Sequence, residues 1–277
     1  MRRISLIIGG LLVGTVLLSA LVSLVWMPHD PTAINVKQRF LPPSAEHWLG
    51  TDQLGRDLMS LLMAGAQSSA LVAFLSVGIG GLTGALLGMA AAARGGLLEE
   101  AVMRSADLAF AFPALLFAIM LAAVYGPSLT NAILAIAFIN VPIFARMTRA
   151  AANQIWVREY ITAARAMGLS TRAIAWKHVL PNIGAILLIQ ATIEFAVAIL
   201  AEAALSYLGL GVQPPTPSWG RMLAEAQTLL FLAPQLAIWP GLCIVAAVLG
   251  FNLLGDGLRD ALDPRSRLPR VTTTRTG

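Results

Sequence analysis

The sequence predicts an all-α polytopic membrane protein with six transmembrane helices. Three observations carry that expectation. The first is composition: 57% of the 277 residues are hydrophobic and only 12% are charged, against about 25% charged in a soluble domain. The mean hydropathy of +0.77 agrees. The second is a series of uncharged runs, each able to supply the ~20 apolar residues that cross a bilayer as a helix. The third is where the charges sit. Residues 146–182 form one long polar stretch between two such runs, and they hold six of the nineteen Lys and Arg residues.

The elements follow in chain order. Residues 4–27 carry no charge and follow Arg2 and Arg3. A secretory signal has an apolar core of only about 7–15 residues and a small-residue cleavage site. No A-x-A follows here, so the run reads as a retained first span. Residues 28–57 are polar, hold Pro31, Pro42 and Pro43, and stay outside the bilayer. Residues 58–93 are uncharged but too many for one span. The front part, 58–67, is expected at the interface, with the second span at 69–92. Gly80, Gly84 and Gly88 recur every four residues there, a spacing that lets two helix backbones approach closely in lipid.

Arg94-Gly95-Gly96 makes a turn, and Glu99, Glu100, Arg104 and Asp107 keep the next segment wet. Residues 108–145 are again uncharged, and Tyr125-Gly126-Pro127-Ser128 divides them with turn chemistry. The third span therefore ends near Val124 and the fourth is 129–144, with Pro113 and Pro142 inside these runs. After the polar stretch come a fifth span at 183–205, a Gly- and Pro-rich loop at 206–227 and a sixth span at 236–254. The tail carries Arg259, Arg265, Arg267, Arg270 and Arg275, and residues 271–277 read as disordered.

Lys and Arg set the orientation of such a chain. With the N-terminus inside, fifteen of the nineteen fall on the cytoplasmic side, and only Lys37, Arg39, Arg56 and Arg221 fall outside. Both termini and the 146–182 stretch are then cytoplasmic.

Several chemistries lack residues. A P-loop needs G-x4-G-K-[ST], and neither Lys37 nor Lys177 lies in a glycine loop. No HExxH, paired-carboxylate or Ser-His-Asp pattern appears, so no catalytic residue is expected, and no cofactor. Cys243, the single cysteine, lies in an apolar run. His29, His47 and His178 are scattered and show no metal-ligand spacing, so no metal is expected. Glu194 and Glu202 belong to the fifth span. A carboxylate in a membrane helix usually faces a bundle interior or a water-filled path. Eight residues put the two about 80° apart around the helix, so they fit a polar path lining. Glu202 fits the outer interface equally well.

Within the polar stretch, a helical pattern from Glu159 to Met167 stops at Gly168, and Ser170 is placed to cap a second short helix. That helix is expected to stop by Leu180, because Pro181 follows. Ala163, Ala164 and Gly168 leave the bend almost bare of side chains. Ala164, Gly168 and Ile174 also fit helix-turn-helix spacing. Membrane spans begin about ten to fifteen residues away on both sides, which leaves no soluble body, so nucleic acid is not an expected partner.

The stretch resembles the cytoplasmic loop of the membrane subunits of bacterial ABC importers, E-A-A-x3-G-x9-I-x-L-P. Thr162-Ala163-Ala164, Gly168 and Leu180-Pro181 match its spacing, with Thr162 in place of Glu and His178 in place of Ile. Three further stretches extend the likeness in order: 47–57 (HWLGTDQLGRD), 202–211 (EAALSYLGLG) with 217–220 (PSWG), and 252–260 (NLLGDGLRD). Together, over about residues 45–265, they resemble the second permease subunit of the dipeptide/oligopeptide/nickel importers. The resemblance implies an ABC type I importer permease fold. It divides the chain into an N-terminal span with its periplasmic segment at 1–64, a transmembrane domain at 65–262 and a cytoplasmic tail at 263–277. It implies a bacterial inner membrane location and several partners: membrane lipid, a homologous permease, two ATPase subunits and a periplasmic substrate-binding protein. Thr162, Ala163, Ala164, Gly168, Leu180 and Pro181 would couple to an ATPase, and Glu194 and Glu202 would line the path. Substrates would be peptides or, within the same family, nickel chelates. A proton-coupled carrier working through Glu194 is the other class, although no internal repeat is found. A membrane scaffold would leave the Ala-Ala/Gly bend without a role.

Overall fold

The computed structural model describes residues 2–262. The expected tail arginines beyond Arg259 and the expected disorder at 271–277 lie outside the described residues. Among the described residues, the sole β pairing is an isolated bridge between Thr51 and Asp57. The helices run α1 (Arg2–Val22), α2 (Leu58–Arg94), α3 (Gly96–Ala111), α4 (Ala114–Tyr125), α5 (Leu129–Trp156), α6 (Glu159–Ala166), α7 (Thr171–Ile174), α8 (Leu180–Tyr207), α9 (Trp219–Ala226) and α10 (Gln235–Leu262). Five stretches are long and apolar enough to cross a membrane; the bent pair α3 and α4 makes a sixth if it counts as one span.

That pair departs from the plain third span the sequence suggests. Its two halves meet at 82°. Pro113 is the cause. It lacks an N–H and holds the preceding Phe112 extended, at φ −90° and ψ 119°, so α3 must end there and α4 restarts behind it. Pro142 behaves differently: it is buried inside α5, which runs through it.

The segment at 58–67 is not a separate element. Leu58 begins a single unbroken helix of 37 residues, about 55 Å long. Its first turns are buried in protein, through Leu58, Leu61, Leu62 and Met63. Asp57 starts it, accepting the Ser60 N–H at 2.8 Å. The loop expected at 206–227 likewise contains a short helix, α9, capped by Ser218, which accepts from the Arg221 N–H.

Close backbone approach organises the bundle. α2 lies along α5, and α1 along α10. On α2, a Cβ added to Gly80 would come within 3.0 Å of the Ala137 carbonyl oxygen. At Gly84 it would meet the Val141 carbonyl, and at Gly88 the Ala145 carbonyl, equally closely. The four-residue glycine spacing is thus a groove into which the α5 backbone fits. Gly9 and Gly250 do the same between α1 and α10. The outward faces remain apolar, with Leu18, Phe74, Leu82 and Leu200 exposed. Such faces suit lipid or another membrane chain.

Gly84→Leu should therefore force α2 and α5 apart at cost of about 1–3 kcal/mol, seen as a lower melting temperature of the detergent-solubilised protein. Gly78, on the same helix, faces open space. Gly78→Ala should leave the melting temperature unchanged, and an unchanged value for Gly84→Leu would contradict the packing account.

Candidate functional site

The polar stretch folds as a small unit with its own core. Trp156, Ile161, Ala164, Ile174, Val179 and Ile183 pack together, with Met89 and Ala152 from α2 and α5. The alanine pair splits across this unit. Ala164 is buried in it, while Ala163 is exposed. The bend is therefore less bare than the sequence suggests: Ala164 serves the loop's interior and only Ala163 its surface. Thr162, Gly168 and Pro181 are also exposed, and Leu180 is half-buried.

Gly168 ends α6 with φ +84°. Its N–H donates to the Arg165 carbonyl at 2.9 Å, and the Leu169 N–H to the Ala164 carbonyl at 3.1 Å. This is a Schellman cap, whose left-handed residue is usually glycine. Among the described residues, no neighbour would touch a Cβ there. Ser170 caps α7, accepting from the Ala173 N–H at 3.3 Å. Met167, 74% exposed, and Trp176, 57% exposed, stand on the outer face. A groove of about 480 Å³ lies between α7 and the end of α2, lined by Met89, Arg94, Ser170, Arg172 and Trp176 among others.

The expected helix end at Leu180 does not occur. α7 passes through one π-helical turn, Ala175–Val179, straight into α8, so residues 171–207 form one continuous rod. The Leu180 N–H reaches back to the Ala175 carbonyl, five residues away. Pro181 sits in the first turn of α8, and the wide turn before it makes room for a ring without a donor. His178, at the departing position, has its ring 6.4 Å from that of Tyr160.

Further along this rod lie the two carboxylates, and they differ. Glu202 is fully buried, at 0% exposure. Its oxygens accept from Ser69 Oγ on α2 and from Ser206 Oγ, each at 2.7 Å. Ser206 Oγ in turn accepts the Val212 N–H at 3.1 Å. Glu202 is thus a polar cross-link between α2, α8 and the chain after α8. Glu194 is 5% exposed and accepts from Gln190 Nε2 at 2.7 Å. Gln190 itself lines an open cleft of about 420 Å³ with Met147, Ile189, Ile193 and Arg259. Sequence reading passed over Gln190, although its place four residues before Glu194 puts the two on one helix face.

At the opposite end, the 47–57 stretch is a polar knot. Asp52 accepts the Leu54 and Arg56 N–H groups and the Arg56 Nε–H, and Arg56 Nη2 also donates to Glu225 on α9 at 2.8 Å. Burial alone would lower the Arg56 pKa; Asp52 and then Glu225 outweigh it and hold it above the ordinary value. Gly55, at φ +74°, lies against the Asn35 backbone. Trp219 is buried beside Gly65 and donates from Nε1 to the Leu62 carbonyl at 3.0 Å. The histidines are not all scattered, contrary to expectation. His29 and His47 meet, with ring centroids 4.6 Å apart, beside Asp57.

Residues 84–268 match the family model for the binding-protein-dependent transport system inner membrane component. The chain belongs to this family. It is similar to the dipeptide transport system permease protein DppC of Alkalihalophilus pseudofirmus, 41% identical over 261 residues, covering 94% of this chain and 86% of that one. It is also similar to the glutathione transport system permease protein GsiD of Escherichia coli, 44% identical over 223 residues and covering 80% and 74%. Its fold is that of a chain in the inward-facing MetNI methionine ABC transporter, with a TM-score of 0.61 at 21% identity, covering 74% of this chain and 98% of that one. This permease is therefore a multi-pass membrane subunit of an ABC importer, without catalytic activity of its own. Family membership decides against the proton-coupled carrier.

The two carboxylates of the permease should separate by stability. Glu202→Ala leaves Ser69 and Ser206 without their shared acceptor and should destabilise the fold by about 1–3 kcal/mol. Glu194→Gln should leave the melting temperature unchanged. Equal losses in thermal unfolding, or none in either, would contradict the distinction.

Proposed function

We propose that this permease pairs with a homologous permease to enclose a path for small peptides, with two ATPase subunits beneath and a substrate-binding protein at the outer face. The relatives named above are dipeptide and glutathione permeases, which favours peptides over nickel chelates. Fifteen of nineteen basic residues on one side support cytoplasmic termini.

One observation carries the coupling mechanism: the rod at 171–207 joins the self-packed loop to the helix that bears Gln190 and Glu194 without a break. ATP-driven movement of an ATPase against Ala163, Met167 and Gly168 would turn that rod as a lever. Thr162, Leu180 and Pro181 shape and flank the contact. Gly168 supplies the left-handed bend that presents Met167. Within the pair, Glu194 faces the path through Gln190, and Glu202 holds the outer end of the rod against α2.

Docking is best tested at Ala163, which is exposed on an ordinary helical backbone. A bulky residue there spares the loop's core, whereas any side chain at Gly168 would also strain the cap. Ala163→Trp should leave the protein inserted and paired with its partner permease, yet the ATPase should no longer co-purify. Normal ATPase recovery and transport would overturn the docking role. In the same assay, Glu194→Gln should keep the ATPase bound but change peptide uptake; unchanged uptake would remove Glu194 from the path.

A further inference from the structure

The segment between α1 and α2 builds a site that nothing in peptide import requires. Asp57 is its centre. One oxygen, Oδ2, accepts the Ser60 N–H and the Ser60 Oγ–H, each at 2.8 Å. The His29 N–H donates to Ser60 Oγ at 3.0 Å. The carboxylate is therefore fixed, and His29 is tied to the same helix turn. The other oxygen, Oδ1, lies 2.9 Å from His47 Nδ1 and 3.7 Å from His29 Nδ1.

Two ring nitrogens are left over. His47 Nε2 and His29 Nδ1 are both buried and have no hydrogen-bond partner. His47 is only 4% exposed. A buried polar atom without a partner is costly, and here two occur on the two imidazoles whose rings meet beside Asp57. One donor atom from each of His29, His47 and Asp57 lies within 4.8 Å of the others.

We propose that His29, His47 and Asp57 bind a divalent transition-metal ion of the zinc class, which clips the segment after α1 to the first turn of α2. Two imidazoles and one carboxylate are a borderline nitrogen and oxygen donor set, suited to such ions and poor for Ca²⁺ or Mg²⁺. Bonds of about 2.0–2.2 Å in a tetrahedral arrangement bring donor atoms to about 3.3 Å from one another. Closing from the present spacing asks for small ring movements. His29, whose side chain is 36% exposed, has room to make them. Water would complete the shell from its open side.

The test uses the full-length protein with its partner subunits, purified metal-free and then dialysed against low-micromolar Zn²⁺. Elemental analysis should find one zinc for each copy of this chain, and X-ray absorption should show two imidazole ligands. His29→Gln and His47→Gln should each weaken binding by about 10–100-fold or more, while His178→Gln, at the opposite end, should not. Zinc should also raise the melting temperature of the wild type and not of His29→Gln. A wild type that holds no zinc at this site overturns the proposal without reference to any variant. Zinc retained unchanged by the His29→Gln and His47→Gln proteins overturns it as well, since the ion would then sit elsewhere.

Discussion

Backbone groups in a bilayer must be satisfied within their own segment, and this constraint shapes the passage from the polar loop into α8. From Thr171 the chain passes out of the 146–182 loop into α8 without leaving helical hydrogen bonding. The π turn at Ala175–Val179 passes the ladder from α7 to α8 although Pro181 removes one donor. A loop that ended in coil would absorb displacement locally. A loop continuous with a 37-residue rod would transmit it. The separate small core around Ile161, Ile174 and Val179 keeps the loop itself from deforming.

The rod needs something to turn against. The pair α2 and α5 supplies it, because Gly80, Gly84 and Gly88 bring the two backbones into contact along several turns. Glu202 fastens the far end of the rod to this pair through Ser69. The 47–57 knot and α9 then brace the same end from outside, through Arg56 to Glu225 and through Trp219 to Leu62. The polar cross-links between α2, α8 and α9 are thus gathered at this end of the bundle, and close backbone packing through the glycines holds α2 to α5 along the middle.

Much of this was legible in the sequence because the signals were local. Uncharged runs gave the spans, the four-residue glycine spacing gave a packing face, and Ser170 and Gly168 gave a cap and a bend. What was missed depended on contacts between distant residues or on competing backbone effects. Pro113 and Pro181 look alike in sequence. One breaks its segment by 82° because the preceding Phe112 is extended; the other sits in a first helical turn, where its missing donor is tolerated. Ala163 and Ala164 are neighbours with opposite fates, because the side of α6 that bears Ile161 and Ala164 joins the core with Trp156 and Ile174. His29 and His47 come together only because the 28–57 segment folds back on the α2 cap. Glu202 matched the outer interface as well as the path by position, and only its serine partners reveal a buried cross-link.

The lever itself is the central claim, and a distance within one chain tests it most directly. Spin labels at Met167→Cys and Val197→Cys, in a Cys243→Ser protein assembled with its ATPase, report the loop against the middle of the rod. The account predicts that this distance stays constant through the ATP cycle, to within the ~2 Å of an ordinary helix shift, while the distance from Met167→Cys to a label on the partner permease changes. A change within the chain of about one helical turn, ~5.4 Å, with the ATPase state would contradict it, since the loop would then move without the helix.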